Sequence, residues 1–421
     1  LRASRGYEAS DLKIISSFIS TKRRREMRIK LSGIIIIVLA VVLSACGGGP
    51  AGGPETATEE PVAEEPAETS EEPEVAEEET EMEPELASEL SVFNWDDYID
   101  EELITAYEEE YGVEIIYDTF ASNEDLLAKL QAGATGYDVI FPSDYMVSQM
   151  IELDLLAEID VNQLENWENV SEDFRDAPFD PGNAHCVPYQ WGTTGIGYRA
   201  GHPIFEENPP DSWAYLFDPE LLEQFADGGI NVLDDQRELI GAALIYLGYD
   251  ANDTDRAHLE EARDLIIAAK PYWKTFNSSD YDDTLLIPDE VVMSHGWSGD
   301  VANAYWNTYD DEAEDGNWYY AIPTEGAVKW LDNICIPASS ERYETAMHFM
   351  NYLLEPENAA AITNFTYYAS PVEPASEFIL EEILEDESIY PPEEVQAKLV
   401  WLEEVGDAVF IYDEMWTAIK G

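Results

Sequence analysis

From residue 90 onward the chain alternates short apolar runs of strand period with longer stretches of helical period. Residues 101–111 carry apolar positions at helical spacing, 113–118 alternate as a strand, and 122–132 read as a helix opened by a Ser-x-x-Asp cap. Residues 137–142 (YDVIFP) form a short buried strand ending on Ser143, Asp144 and Tyr145. Further strands are expected at 230–235, 291–297 and 328–337, and a strand, Gly-rich break and second strand at 185–198 (HCVPYQWGTTGIGY). Helices near 343–354 and 391–404 are expected to close the chain. This β-α-β order predicts an α/β fold with mostly parallel sheets covered by helices on both faces.

The strands deliver polar residues at their ends, where open α/β sheets bind ligands. Residues 91–98 (SVFNWDDY) run from a strand into Trp95, Asp96, Asp97 and Tyr98, two rings around two carboxylates. A cation is attracted to the face of an indole or phenol ring, and a carboxylate accepts charge-assisted hydrogen bonds from an ammonium. The plain alternative for this stretch is a strand end, an Asp N-cap and a half-buried Trp. The same chemistry recurs at Asp235 and Glu238, at Trp297 and Asp300, and at Trp330 and Asp332, which favours a site for an organic cation. Taken singly, Trp297 and Trp330 would be read as core, and Asp235 and Glu238 as acids favouring a helix N-terminus.

Composition sharpens this. The chain has 421 residues, with 90 Asp+Glu against 21 Lys+Arg and a formal charge of −69. That excludes nucleic acid and anionic lipid surfaces as natural ligands and favours cationic ones. Residues 1–46 form a leader. Within it, 27–45 have the basic start, apolar core and small residues of a signal peptide, and Met27 is the expected translation start. The apolar run 34–43 is short for a membrane span. Leu43-Ser44-Ala45-Cys46 resembles a lipobox, which makes Cys46 the expected lipidated residue. Residues 47–89, Gly-rich and then dominated by Glu, Pro, Ala, Thr and Ser, read as a disordered tether. The body that remains, about 330 residues, is enough for two domains.

Several stretches in order, FNWDDY, FASNEDLLAKLQAG, YDVIFPSDY, VPYQWGTTGIGY, LDDQRE, FNSSD, GWSGD, WLDNICIP and YPPEEVQAKL, resemble the polyamine (spermidine/putrescine) substrate-binding proteins of ABC importers. The resemblance implies a two-lobed periplasmic-binding-protein (type II) fold that closes on its ligand about a hinge. It implies one lobe from 89–194 plus 331–377 and the other from 195–330 plus 378–421. It also implies membrane permease subunits as partners, a monomeric state and no cofactor. Carried over residue by residue, Trp95, Tyr98, Trp297, Trp330 and Tyr368 form aromatic walls, while Asp97, Asp235, Glu238, Asp300 and Asp332 hold amines. Ser143 and Tyr145 lie on a site loop, Asp96 stands where the family often has a hydroxyl residue, and Ser278 completes the set. The sequence departs from the spermidine branch at Trp401, followed by Leu402 where that branch has Gln.

Other readings fit less well. Another cationic amine or an oligosaccharide in the same fold is the first alternative, and a glycoside hydrolase built on carboxylate pairs is the next. GWSGD at 296–300 lacks the final Gly of a hydrolase elbow. The five His residues show no metal-ligand spacing, so neither catalytic nor metal-binding residues are expected. Cys186 and Cys335 fall in the two strands assigned to the hinge. A disulfide or a pair of buried thiols fits them equally until their Cα separation is known.

Overall fold

Strand β4, Cys186–Arg199, runs unbroken for 14 residues. The glycines at 192, 195 and 197 do not interrupt it as the sequence suggested. Each instead lets another side chain lie against the backbone: a Cβ on Gly192 would sit 2.5 Å from the Trp330 ring, and one on Gly197 2.7 Å from Val301. The only irregularity along its pairing with Ala327–Cys335 is a register shift between Pro188 and Gln190, where proline lacks the donor a ladder needs.

The computed structural model describes residues 86–133, 136–310 and 312–421, all within one compact unit, Thr80–Gly421. The signal peptide, Cys46 and nearly all of the tether lie outside the described residues. Ala87 donates its N–H to Thr345 Oγ1 at 2.8 Å, and strand β1 begins at Glu89.

Two sheets share β4. In the first, β1 (Glu89–Trp95) lies parallel to β2 (Glu114–Phe120) and to β3 (Val139–Ile140). Strand β9 (Ala327–Cys335) then runs antiparallel to β3 and to the first half of β4. In the second, the latter half of β4 runs antiparallel to β7 (Met293–Trp297) and β8 (Trp318–Ala321), and β5 (Ile230–Val232) lies parallel to β6 (Thr275–Phe276) and β7. Each sheet is therefore mixed rather than mostly parallel. The long strands that pass between the sheets enter antiparallel, and only the outer β-α-β units keep the parallel order.

Local signals place the helices. Asp100 caps Glu101–Tyr111 through Glu102 N, Gly112 ends it in the left-handed conformation, and Ser122 caps Asn123–Gln131 through Asp125 N. The helix expected at 391–404 is not formed. After Pro391 and Pro392 only Glu393–Gln396 coils, and β10 (Leu399–Trp401) then pairs parallel to the start of β9. Apolar residues at 399 and 402 are drawn into the core, which outweighs the local helical spacing. The chain closes instead on Val409–Lys420, whose Tyr412, Met415 and Ile419 are buried.

The cysteines meet. Cys186 and Cys335 are paired across β4 and β9 with a Cα–Cα distance of 4.5 Å and form a disulfide.

Candidate functional site

Trp330 and Asp332 are two apart on β9, so their side chains leave the same face of the strand. Asp332, 4% exposed, accepts from Tyr98 OH at 2.5 Å and from Ser143 Oγ at 2.6 Å. Ser143 stands at the N-cap of Asp144–Glu152, yet its hydroxyl makes no cap bond and is turned to Asp332 instead. Asn123 fixes it there, accepting from Ser143 N at 3.1 Å and donating to Ser143 Oγ at 3.0 Å. Burial raises the Asp332 pKa to about 6, against the two hydroxyl donors that favour its charged form.

Tyr368 links this group to a second acid. Its ring packs edge-on against Trp330 at 4.9 Å and Tyr98 at 5.6 Å between centroids, and its hydroxyl donates to Asp300 Oδ1 at 2.6 Å. Asp300 lies in the first turn of the helix Ser298–Asn307 rather than at the end of β7. Burial again raises its pKa, to about 6, with Tyr368 and Tyr281 opposing and the charges of Asp97 and Asp280 adding to the rise. Two acids thus flank three rings. Among the described residues neither acid has an ion pair with Lys or Arg.

A second acid group comes from the other sheet. Asp235 caps the helix Gln236–Leu247 by accepting from Arg237 N and Glu238 N. Glu238 is 5% exposed; its Oε2 and the Thr194 hydroxyl lack a hydrogen-bond partner among the described residues. Burial first, then the charge of Asp235, holds Glu238 well above the ordinary carboxyl range, with Trp297 beside it. The first sheet reaches this group through Tyr145, which donates to Glu124 Oε1 at 3.3 Å and lies under the Arg237 guanidinium, 5.7 Å from its ring centroid. Glu124 is exposed; loss of solvation around its carboxyl, then the charge of Asp235, raises its pKa to about 7.

Not every expected residue joins these groups. Trp95 donates its indole N–H to Phe141 O at 2.8 Å and packs on Phe120, and neither contact is to an acid of the two groups. Asp96 and Asp97 are exposed. Asp97 adopts the left-handed conformation at φ 48° and lies near Asp280 and Asp283, with carboxylate oxygens all within 4.8 Å. The Ser278 hydroxyl is buried without a partner among the described residues. At the departure from the spermidine branch, the Trp401 ring is covered by the Lys329 ammonium at 4.1 Å and Leu402 is buried in the core.

Sequence reasoning missed Glu124, Asn123 and Asp144. All three stand in stretches the sequence singles out, Asn123 and Glu124 in the helix opened by a Ser cap and Asp144 at the end of a strand. The signal available was adjacency: Asp144 lies between two site residues, and Asn123 and Glu124 follow a capping Ser at the end of a strand.

The model of a family described as bacterial extracellular solute-binding protein matches residues 102–387. The chain is 37% identical over 337 residues to a putrescine/cadaverine-binding protein of Pseudomonas aeruginosa, covering 79% of this chain and 94% of that one. Among solved structures it is similar to the spermidine/putrescine ABC transporter substrate-binding protein PotD of Streptococcus pneumoniae (33% identity, TM-score 0.65, 79% of this chain and 99% of that one). It is also similar to the TpPotD lipoprotein of Treponema pallidum (28% identity, TM-score 0.67, 79% and 99%).

Proposed function

The chain belongs to the bacterial extracellular solute-binding proteins, and we propose that it captures a polyamine, spermidine or putrescine, and delivers it to the permease of an ABC importer. The observation that carries the reading is the pair of buried acids, Asp332 and Asp300, each held by a tyrosine hydroxyl and separated by the rings of Tyr98, Trp330 and Tyr368. A polyamine alternates ammonium groups with apolar methylenes. Acids at intervals with flat rings between them match that alternation in charge and in surface. A buried carboxylate without a cation carries a desolvation cost of several kcal/mol, which an ammonium offsets when the cleft closes around it.

One lobe is assigned to 89–194 plus 331–377, the other to 195–330 plus 378–421, with β4 and β9 as the crossing. Asp235, Glu238, Tyr145 and Trp297 form the far end of the box, and Asp96, Asp97 and Ser278 its mouth. The family acts by binding solutes for transport, and no catalytic step is assigned to these carboxylates. Cys46 is the proposed lipid anchor, holding a monomeric body off the membrane by the acidic tether; Cys46→Ser should release the protein from the membrane fraction.

Titration calorimetry with spermidine, putrescine and a neutral oligosaccharide tests the function. Saturable binding of either amine in the micromolar range or tighter, with none for the sugar, is the expected result. A folded protein that binds the sugar and neither amine would overturn the reading.

A further inference from the structure

Asp144 is fully buried, with 0% of its surface exposed. Its Oδ1 accepts from Tyr145 N at 2.8 Å, while its Oδ2 has no hydrogen-bond partner among the described residues. It stands between two residues of the site, Ser143 and Tyr145; the helix Asn123–Gln131 packed on its own carries Glu124, which accepts from Tyr145 OH, and further groups come from two other elements. From β9 these are Asp332 and the backbone of Leu331 and, at longer range, Lys329. From the helix Gln236–Leu247 they are Arg237 and Glu238. Arg237 is already engaged, donating to Asn252 Oδ1 at 2.8 Å and Glu403 O at 2.9 Å. Lys329 lies over Trp401. No cation makes an ion pair with Asp144 among the described residues, and two other carboxyls look toward it. Burial and the Asp332 charge favour the neutral form of this carboxyl, against the Tyr145 and Leu331 N–H groups and the more distant Arg237.

We propose that Asp144 is a positioning residue that couples capture of the cation to loss of a proton: it is neutral while no ammonium lies beside Asp332, and it ionises when one arrives. The O–H bond of the Asp144 carboxyl breaks, the electron pair stays on the carboxylate, and the proton passes to bulk water as the lobes move. The ligand keeps all its own protons. Burial, with the Asp332 charge adding, raises the Asp144 pKa to about 8 in the structure as described, which puts the exchange within the working range of an extracellular protein. The arriving positive charge favours the ionised form, and the new carboxylate in turn holds Arg237, and through it the Tyr145 ring, against the cleft. Capture therefore strengthens as pH rises. This inference rests on the polyamine reading above.

The test is calorimetry of the whole protein with spermidine in phosphate and in Tris, buffers with different heats of protonation, repeated from pH 6.5 to 8. The wild type is expected to release about one proton more per ligand than Asp144→Asn. Its log Kd should also fall more steeply with pH by about one, a tenfold difference per pH unit. Asp144→Ser, checked for folding by its thermal melt, gives the same comparison with a smaller side chain. Equal proton release and equal slopes in wild type and variants overturn the inference and leave the function intact. So does a Kd for the wild type that is flat with pH, a result that needs no variant. A wild type that binds neither polyamine overturns the functional reading and this inference with it.

Discussion

Tyr98 and Asp332, 234 residues apart in sequence, are joined by a 2.5 Å hydrogen bond from the phenol to the carboxylate. The bond ties the corner after β1 to the middle of β9 and aims both side chains at the same space. Because Ser143 occupies the other oxygen, Asp332 is oriented before any ligand arrives. Asp332→Asn keeps the shape and removes the charge; it should weaken polyamine binding by about 2–5 kcal/mol, the usual cost of truncating one partner of a buried charge pair. Tyr98→Phe removes only the orienting bond and should cost about 1–2 kcal/mol. Calorimetry showing unchanged affinity in Asp332→Asn would remove that residue from the site.

Gly192→Ala probes the ring wall from behind. The added Cβ would meet the Trp330 ring at 2.5 Å, and Trp330 is itself packed on Tyr368. The indole must therefore shift into the cleft. Overpacking of this kind costs about 1–3 kcal/mol, and here it is expected to appear as lost ligand affinity alongside a modest drop in melting temperature. Wild-type affinity in a folded variant would show that the Trp330 face does not meet the ligand.

Glu238 separates long ligands from short ones. It sits with Asp235 on the helix of the second sheet, apart from the Asp332–Asp300 group. A diamine can satisfy one acid group at each end of the rings, whereas a triamine has a further ammonium to place. Glu238→Gln should therefore weaken spermidine by about tenfold more than putrescine, a difference of about 1.4 kcal/mol. Equal losses would mean that both amines reach Glu238.

Much of this was legible in the chain because it is local. The cap at Ser122, the strand ends that carry Asp97 and Ser143, and the Trp330–Asp332 spacing each follow from a few neighbouring residues. What the sequence hid is set by distant partners. The glycines of β4 look like a break until Trp330 and Val301 are seen to fill the space they leave. Residues 391–404 keep helical spacing, but the open edge of β9 takes 399–401 as a strand. Trp95 has the composition of a ligand wall, and only the distant Phe141 carbonyl shows how its indole is anchored.

The Cys186–Cys335 disulfide closes a loop of 149 residues of sequence separation, which includes most of the second sheet. Restricting the unfolded chain over such a loop is worth about 2–5 kcal/mol. Thermal melts with and without reductant should show a lower midpoint when the bond is broken, and the Cys186→Ala/Cys335→Ala double variant should melt low in both conditions. Ligand affinity should change little, since neither cysteine belongs to the acid and aromatic groups.

The site's acids make an opposite demand on pH from that of an ordinary soluble protein. Burial raises the pKa of Asp144 to about 8 and of Asp300 and Asp332 to about 6, whereas an unfolded Asp titrates near 3.9. Between those values the folded state binds protons that the unfolded state does not. Their contribution to stability is therefore fully present in acid and is lost as pH rises through 6 to 8. His295 works the other way. Burial lowers its pKa to about 3, so the unfolded state takes up its proton below about 6.5 and stability falls in acid by that one group. Three acids outweigh one imidazole, and the ligand-free protein should melt at a higher temperature at pH 5.5 than at pH 8.5. Spermidine should shrink the difference, because bound ammonium groups favour the charged carboxylates and stabilise the fold most where those are ionised. A melting temperature that falls steadily from pH 8.5 to 5.5 would mean that these carboxyls are already charged in the folded cleft, held by cations the protein itself supplies.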